Sequence, residues 1–376
     1  MDRLPDLDTV TTPSLVLDAA VLRENIRAMA ERAREAGLEL RPHSKTHKSI
    51  AVAKLQLEHG AAGLTVATAR EAECFAAAGV DDLLVAYPPV GQWRLDRLTG
   101  LADNARVRVV LDSREAAELL DAACRRAGVR IGYLWEVDCG VGRVGTPPGV
   151  LTAELVAPVA SSTRHAFFDG LMAFGGHAYA AGDREGIKAA ALDERQALLE
   201  TAEALATLGV ETRAMSIGTT PTTHVLMASD GATEIRPGNY VFYDATQVAL
   251  ELVPKERCAL SVIATVVARP SATRLILDCG SKALAAERLT DRTSGFGFVI
   301  GHEELAVERL YEEHAIVTSA SAIDIPIGSR LRVVPNHSCA TANLHEQMLV
   351  LEGDDVVDVW SIDARGWERR WQAVVP

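Results

Sequence analysis

Several features that would classify this chain at once are missing from it. No apolar run approaches the roughly 18 residues that a membrane-spanning helix needs. The opening MDRLPDLDTVTTPSLVLD has acidic residues where a secretory leader would be basic, and no apolar stretch follows. Cysteine is sparse: Cys74, Cys124, Cys139, Cys258, Cys279 and Cys339 are scattered, with no CxxC pair. That spacing argues against a disulfide framework and for reduced thiols in the cytoplasm. There is no Lys/Arg cluster, and the formal net charge is −13 with both signs interleaved. Nucleic acid and anionic membrane surfaces are poor partners for such a chain. Low-complexity stretches and internal repeats are absent as well. What remains, at 376 residues, 48% hydrophobic and 24% charged, is an ordinary globular composition, enough for one large domain and one smaller one.

Through the first two thirds, short β-rich runs alternate with longer helical patterns. The strand candidates are 38–42, 63–68, 82–87, 106–112, 131–138, 170–176, 213–218 and 233–237. Between them lie segments with helical apolar spacing, such as SREAAELLDAACRRAG (113–128) and DERQALLETAEALATLG (193–209), and the helix of 17–37 precedes the series. Eight strands interleaved with helices over about 230 residues predict a (β/α)8 barrel of the TIM type, with a doubly wound open sheet as the alternative on pattern alone. After about residue 250 the rhythm changes to strand-like runs: 258–270, 274–281, 315–335, 347–362 and 367–375. They predict a mostly β second domain. The expected division is a barrel over 18–250 and a β domain over 251–376, which also takes in a strand from 1–17.

In such a barrel the chemistry sits on loops at the C-terminal ends of the strands. The most polar and least periodic residues here fall at those points: HSKTHK (43–48), CGVGRVG (139–145), HAY (177–179) and GTTPTT (218–223). GTTPTT, with Gly218, Thr219 and Thr220, suits an anion, because small residues let backbone N–H groups approach phosphate oxygens. A plain Ser/Thr-rich helix cap competes with that reading. Lys45 lies between His43 and His47, cationic neighbours that depress a lysine pKa and free its amine for a Schiff base. The competing reading is a solvated surface lysine. Arg143 suits a ring oxygen of a cofactor, or else is a surface arginine in a Gly-rich turn. His177 and Tyr179 share a face if the strand extends that far; a satisfied core histidine is the alternative. In PNHSCAT (335–341), His337 and Cys339 stand two apart, on one face of an extended segment, so imidazole and thiolate can share a metal. Two ligands leave open positions, which catalysis requires and a structural zinc site does not have.

Together these runs resemble the D-threonine aldolase and D-serine dehydratase family of fold-type III pyridoxal-phosphate enzymes, relatives of the alanine racemases. The resemblance rests on TPSLVLD, RPHSKTHKS, GLTVATAREAE, DCGVGRVG, GGHAY, SIGTTPT, EIRPGNYVFYD, EEH (312–314) and PNHSCAT, across nearly the whole chain. It implies that Lys45 carries the pyridoxal 5'-phosphate aldehyde and that Arg143 stands beside the ring oxygen. Gly218, Thr219 and Thr220 then form the phosphate cup, Tyr179 flanks the cofactor, and His177 is a base near the substrate β-carbon. His337 and Cys339 correspond to the family's divalent-metal pair. The thiolate favours Zn2+, with Mn2+ and Co2+ as alternatives. The pyridine-nitrogen partner stays open among Tyr240, Tyr243 and Gln247. An alanine racemase would need a tyrosine base from the β domain and no metal.

The implied activity is lyase chemistry on D-3-hydroxy amino acids in a C2 homodimer. Cysteine in the metal pair is familiar from D-serine dehydratases, whereas known D-threonine aldolases carry Asp there. The overall pattern is closer to bacterial D-threonine aldolases. Retro-aldol cleavage to glycine and an aldehyde is therefore the first expectation, D-serine or D-3-hydroxyaspartate dehydration the second, and a non-catalytic cofactor-binding protein the third.

Overall fold

A computed structural model describes residue 4, residues 6–225 and residues 230–366. Strand β1 (Ser14–Asp18) runs into helix α1 (Ala19–Glu35), where the Asp18 carboxylate accepts the Val21 N–H at 2.9 Å and so satisfies one of the helix's free donors. Eight parallel strands follow: β2 (Glu39–Leu40), β3 (Leu64–Val66), β4 (Asp82–Val85), β5 (Arg106–Leu111), β6 (Ile131–Val137), β7 (Ala166–Ala173), β8 (Ala214–Ile217) and β9 (Glu234–Ile235). They pair in the order β2-β9-β8-β7-β6-β5-β4-β3, and a parallel bridge from His43 to Thr65 joins the two ends. The sheet is therefore a closed barrel, as the strand–helix alternation predicts. Helices α2 (Ile50–Glu58), α3 (Ala69–Ala77), α4 (Gln92–Leu101), α5 (Arg114–Ala127), α6 (Val150–Ser162), α7 (Arg184–Thr207) and α8 (Thr220–Val225) alternate with the strands.

The barrel strands read as near-continuous apolar runs because both faces are covered. On β5, Val107, Val109 and Leu111 pack outward among residues of the helices, while Val110 packs inward with Leu84, Leu134, Met172 and Ala214. Below that apolar layer the barrel is charged. Glu234 accepts from Arg41 Nε at 3.0 Å and from Arg108 Nη2 at 2.8 Å, and Arg41 Nη1 reaches Asp82 at 2.7 Å. Burial pushes the Glu234 carboxyl up, but Arg108 and Arg41 outweigh it and hold the pKa at about 2.

The second sheet contains β10 (Leu260–Ser271), β11 (Arg274–Leu277), β12 (Phe298–Val299), β13 (Ala306–Leu310), β14 (Ala315–Thr318), β15 (Arg330–Val334), β16 (Gln347–Glu352) and β17 (Asp355–Ser361), with short helices α9 (Ala245–Ala249), α10 (Ser281–Leu284) and α11 (Ser338–Leu344). The long strand β10 pairs with both β11 and β15, closing β10-β11-β14-β13-β12-β15 into a second, antiparallel barrel. Strand β1 pairs antiparallel with β10 and parallel with β16. No described helix is long and apolar enough to cross a membrane.

Some boundaries differ from the sequence reading. Helix α7 begins nine residues before 193, because the Asp183 carboxylate accepts the Gly186 N–H at 2.8 Å and starts the helix there. The run 315–335 is two strands rather than one, and β12 and β13 fall in a segment whose pattern gave no strand. The strand expected at 367–375 lies outside the described residues.

Candidate active site

The polar loops meet at the C-terminal mouth of the barrel, around a cavity of about 980 Å3. Lys45 stands in a single 3-10 turn, Ser44–Thr46, directly after the closing bridge. The turn is anchored from both sides: Ser44 Oγ donates to the Thr65 carbonyl at 3.1 Å, and His43 Nδ1 accepts the Lys45 N–H at 3.4 Å. Among the described residues, Lys45 Nζ meets no carboxylate and faces the Phe174 ring, 5.8 Å from its centroid. Burial lowers the amine pKa, Arg143 and Arg236 add to that, and Cys339 and Glu71 oppose it. The flanking histidines are not the cause. Burial also pushes His43 well below the ordinary imidazole range and His47 down to about 4, so both rings are neutral near pH 7. Lys48 lies on the same wall but is committed, at 2.9 Å from Asn343 Oδ1 and 3.4 Å from Glu71 Oε1.

Gly218, Thr219 and Thr220 also line the cavity wall. Gly218 has φ +96°, and a Cβ there would come within 2.9 Å of Thr223 Cγ2, so the backbone passes where only glycine fits. Gly238 and Asn239, just after β9, complete this wall. A Cβ on Gly238 would lie 2.8 Å from Thr46 Oγ1. A backbone cradle built from glycines on two loops fits a phosphate. Arg236 also lines the cavity, buried, with Nε donating to Ser216 Oγ at 2.7 Å. Sequence reasoning passed over Arg236, which fell inside the expected strand 233–237, and over Gly238 and Asn239, to which the rule of polar residues just past a strand does apply. The tyrosines considered for the ring nitrogen are engaged elsewhere. Tyr240 Oη accepts from Gln56 Nε2 at 3.0 Å, and Tyr243 Oη pairs with His224 Nε2 at 2.9 Å. Gln247 is buried away from the cavity lining, with neither amide atom hydrogen-bonded.

The third group of expected residues is only partly assembled. Tyr179 lines the cavity from the 3-10 turn Gly176–Ala180, its hydroxyl pKa raised by burial. Arg143 lies just outside the cavity wall, its side chain 54% exposed, with its guanidinium 4.7 Å from the Phe174 centroid and 3.7 Å from Glu136. His177 belongs to the same turn as Tyr179, but the strand does not extend that far, so the two do not share a strand face. Its ring is off the cavity wall and sits 3.5 Å from Asp193 Oδ2. Both of its ring nitrogens are buried without a hydrogen bond. Such a group is costly to leave in place unless something else arrives to pair with it.

His337 and Cys339 are brought together, though not by an extended segment. His337 is the residue before α11 and Cys339 lies in its first turn, because Ser338 N donates to the buried Asp244 carboxylate at 2.9 Å and starts the helix there. Burial alone would lower the His337 pKa, but its hydrogen bond and charge interaction with Cys339, together with Glu287, raise it to about 10. Burial likewise pushes the Cys339 thiol up, while His337, Thr46 and Lys45 bring it below the ordinary thiol value. Together the two side chains offer a nitrogen and a sulfur donor of the kind Zn2+ takes, once the imidazole gives up its proton. Glu287 Oε2 contacts His337 Nδ1, the carboxylate–histidine contact that orients a metal-bound ring. Among the described residues no cluster of three or more His, Cys, Asp or Glu side chains could hold a metal. Any cation at this pair would keep open positions. Thr46 Oγ1 lies 3.2 Å from Cys339 Sγ, so the pair and Lys45 are one residue apart along the cavity wall. EEH (312–314) takes no part in it; Glu312 and Glu313 pair with Lys282 on the surface.

Residues 17–246 match the family described as alanine racemase, N-terminal domain, and residues 259–351 match the serine dehydratase domain. The chain is 34% identical over 367 residues to a D-threonine aldolase of an Arthrobacter species, covering 96% of this chain and 95% of that one. It is 32% identical to the D-threo-3-hydroxyaspartate dehydratase of Delftia sp. HT23, over 96% of this chain and 98% of that one. A metal-free form of a D-threo-3-hydroxyaspartate dehydratase carrying a Cys-to-Ala substitution, 32% identical, superposes with a TM-score of 0.89, covering 97% of this chain and 100% of that one. The D-threonine aldolase of Filomicrobium marinum superposes with a TM-score of 0.90 at 29% identity, covering 96% of this chain and 98% of that one.

Proposed function

We propose that this chain, which belongs to the pyridoxal-phosphate-dependent lyase family of the alanine racemase N-terminal domain, cleaves D-3-hydroxy amino acids of the D-threonine type to glycine and an aldehyde. The observation that carries the reading is the 3.2 Å contact of Thr46 with Cys339, which sets a lysine and a two-donor metal pair on one cavity. Lys45 holds the cofactor aldehyde. Gly218, Thr219 and Thr220, with Gly238 and Asn239 beside them, hold its phosphate. Arg236 is the buried donor assigned to the ring nitrogen, and Tyr179 and Arg143 flank the ring. When bound, pyridoxal phosphate supplies the electron sink for whichever bond to Cα lies perpendicular to its plane. A divalent cation on His337 and Cys339, Zn2+ in preference to Mn2+ or Co2+, supplies Lewis acidity towards a hydroxyl oxygen.

The protein's own groups decide which bond that is. In the retro-aldol direction a base takes the β-hydroxyl proton as the Cα–Cβ bond opens, and a proton returned to Cα completes glycine. His177 is the proposed base: its ring sits 3.5 Å from Asp193 Oδ2 with no hydrogen bond holding it there, so it can turn towards a hydroxyl. In the second reading Lys45 takes the α-proton and hydroxide leaves Cβ, giving a 2-oxo acid and ammonia. Cysteine in the metal pair and the likeness to the Delftia dehydratase favour that alternative.

Incubation with D-threonine, D-serine and D-3-hydroxyaspartate, with and without chelator, separates the readings. Glycine with an aldehyde identifies the aldolase, a 2-oxo acid identifies the dehydratase, and no turnover of any of them leaves a cofactor-binding protein. L-substrates are expected to be turned over negligibly, because the metal pair lies to one side of Lys45. The proposal extends to a cytoplasmic C2 homodimer, each chain divided into a barrel over 18–250 and a β domain over 251–376 with the strand of 1–17. A fully active monomer in sedimentation at assay concentration would contradict the dimer.

A further inference from the structure

We propose that Glu194 is a positioning residue that couples the phosphate loop to the turn carrying His177 and Tyr179. The inference rests on the reading that Gly218, Thr219 and Thr220 hold a phosphate. Glu194 is buried in the middle of α7, and none of the chemistry above uses it. A single carboxylate oxygen, Oε1, accepts two backbone N–H groups: Gly218 N at 2.9 Å and Gly175 N at 2.9 Å. The first donor opens the phosphate loop, and the second immediately precedes the Gly176–Ala180 turn. The other oxygen, Oε2, takes Thr222 Oγ1 at 3.4 Å, and Thr222 in turn accepts the Thr219 N–H at 2.8 Å.

The two loops follow neighbouring strands, β7 and β8. Their shared acceptor ties the two loop starts to one side chain. A Cβ on Gly175 would approach Glu194 Oε2 and Thr222 Cγ2 at 3.2 Å each, so the turn sits as close to the carboxylate as a glycine allows. The preceding residue, Asp193, is the one that faces His177 at 3.5 Å. Consecutive residues of one helix therefore set the phosphate loop, the start of the turn and the resting position of its histidine. Burial pushes the Glu194 carboxyl pKa up, with Arg236 and the two N–H groups opposing it, so keeping a carboxyl there calls for a gain elsewhere. Fixing two N–H donors that would otherwise be buried without a partner is such a gain. The consequence is that filling the phosphate loop stiffens the turn on which Tyr179 and His177 depend.

Hydrogen exchange of the protein with pyridoxal phosphate, and with pyridoxal lacking the phosphate, tests this directly. The phosphate is expected to protect residues 214–225 and, in parallel, residues 174–181. In Glu194→Ala the protection of 174–181 is expected to vanish, and the Kd for pyridoxal phosphate to rise about tenfold or more. Glu194→Gln keeps an oxygen able to accept both N–H groups, and should hold the Kd within about threefold of the parent while retaining the parallel protection. Protection of 214–225 without 174–181 in the parent protein overturns the coupling and leaves the phosphate loop standing. Protection of neither overturns the phosphate loop itself, and the coupling with it. Because the parent protein alone separates these outcomes, the test survives a Glu194→Ala variant that does not fold.

Discussion

The two ends of the barrel hold the same kinds of side chain and treat them differently. At the floor, Arg41, Arg106 and Arg108 interlock with Glu39, Asp82, Asp169 and Glu234, so that each buried guanidinium faces at least two carboxylates. At the mouth, Lys45 Nζ has no carboxylate in contact among the described residues, and His337 is kept cationic mainly by the neighbouring Cys339 and Glu287. Burying a charge is tolerated when the partners are already in the fold, as at the floor, and otherwise leaves an incomplete site. The difference separates charges that stabilise this barrel from charges that wait for a ligand. It also explains why perturbed amines and imidazoles gather at one end of a single structure.

Substitutions at the two ends should therefore fail in opposite ways. Lys45→Ala is expected to cost the most turnover, on the order of a thousandfold or more, with the unfolding midpoint barely moved. Borohydride labelling should disappear with it, and mass spectrometry of the reduced protein is the check. His337→Ala and Cys339→Ala should come next, costing roughly a hundredfold or more in rate and abolishing bound metal, measured as metal content beside steady-state rates. Unfolding of those two variants would make the pair structural. At the floor, Glu234→Ala should cost about 3–5 kcal/mol in urea unfolding, because two guanidiniums lose their partner, while the folded fraction still binds cofactor. The pH dependence has a definite sign. The folded Glu234 carboxyl is held at about 2, below its unfolded value, so its contribution is complete above about pH 5 and is lost as pH falls through the folded value. Glu234→Gln should flatten that acid limb in a series of denaturant melts. The smallest effect expected is for Arg143→Ala, whose exposed contact with Phe174 is worth about 0.5–1 kcal/mol, a few-fold in cofactor affinity by fluorescence titration.

How much of this was legible in the sequence follows the same division. The eight barrel strands were readable because strands buried on both faces are short apolar runs set between amphipathic helices. Helix α5 announces both its ends, with Ser113 accepting the Ala116 N–H and Gly128 closing the helix at φ +72°. The strands β12 and β13 were not readable, since β12 has two residues and β13 is half exposed, with Glu308 and Arg309 in its middle. At the mouth, loop residues just past the strands pointed to Lys45, Gly218 and Tyr179. Arg236 and Glu194 were missed, the first because it fell inside the run 233–237, of which only Glu234–Ile235 is strand, and the second because it lies within a helix. The HxC pair was found through a wrong conformation. Spacing alone does not distinguish an extended segment from a helix start, and here the Asp244 carboxylate decides it.

The central claim is that Lys45 and the His337–Cys339 pair serve one cofactor-and-metal site at the mouth. Diffraction from crystals of the holoenzyme, with anomalous data at the zinc edge, tests it most directly. The account predicts continuous density from Lys45 Nζ to the cofactor and an anomalous peak between His337 and Cys339, in the same cavity. Cofactor on Lys48, or a metal bound away from that pair, would contradict it.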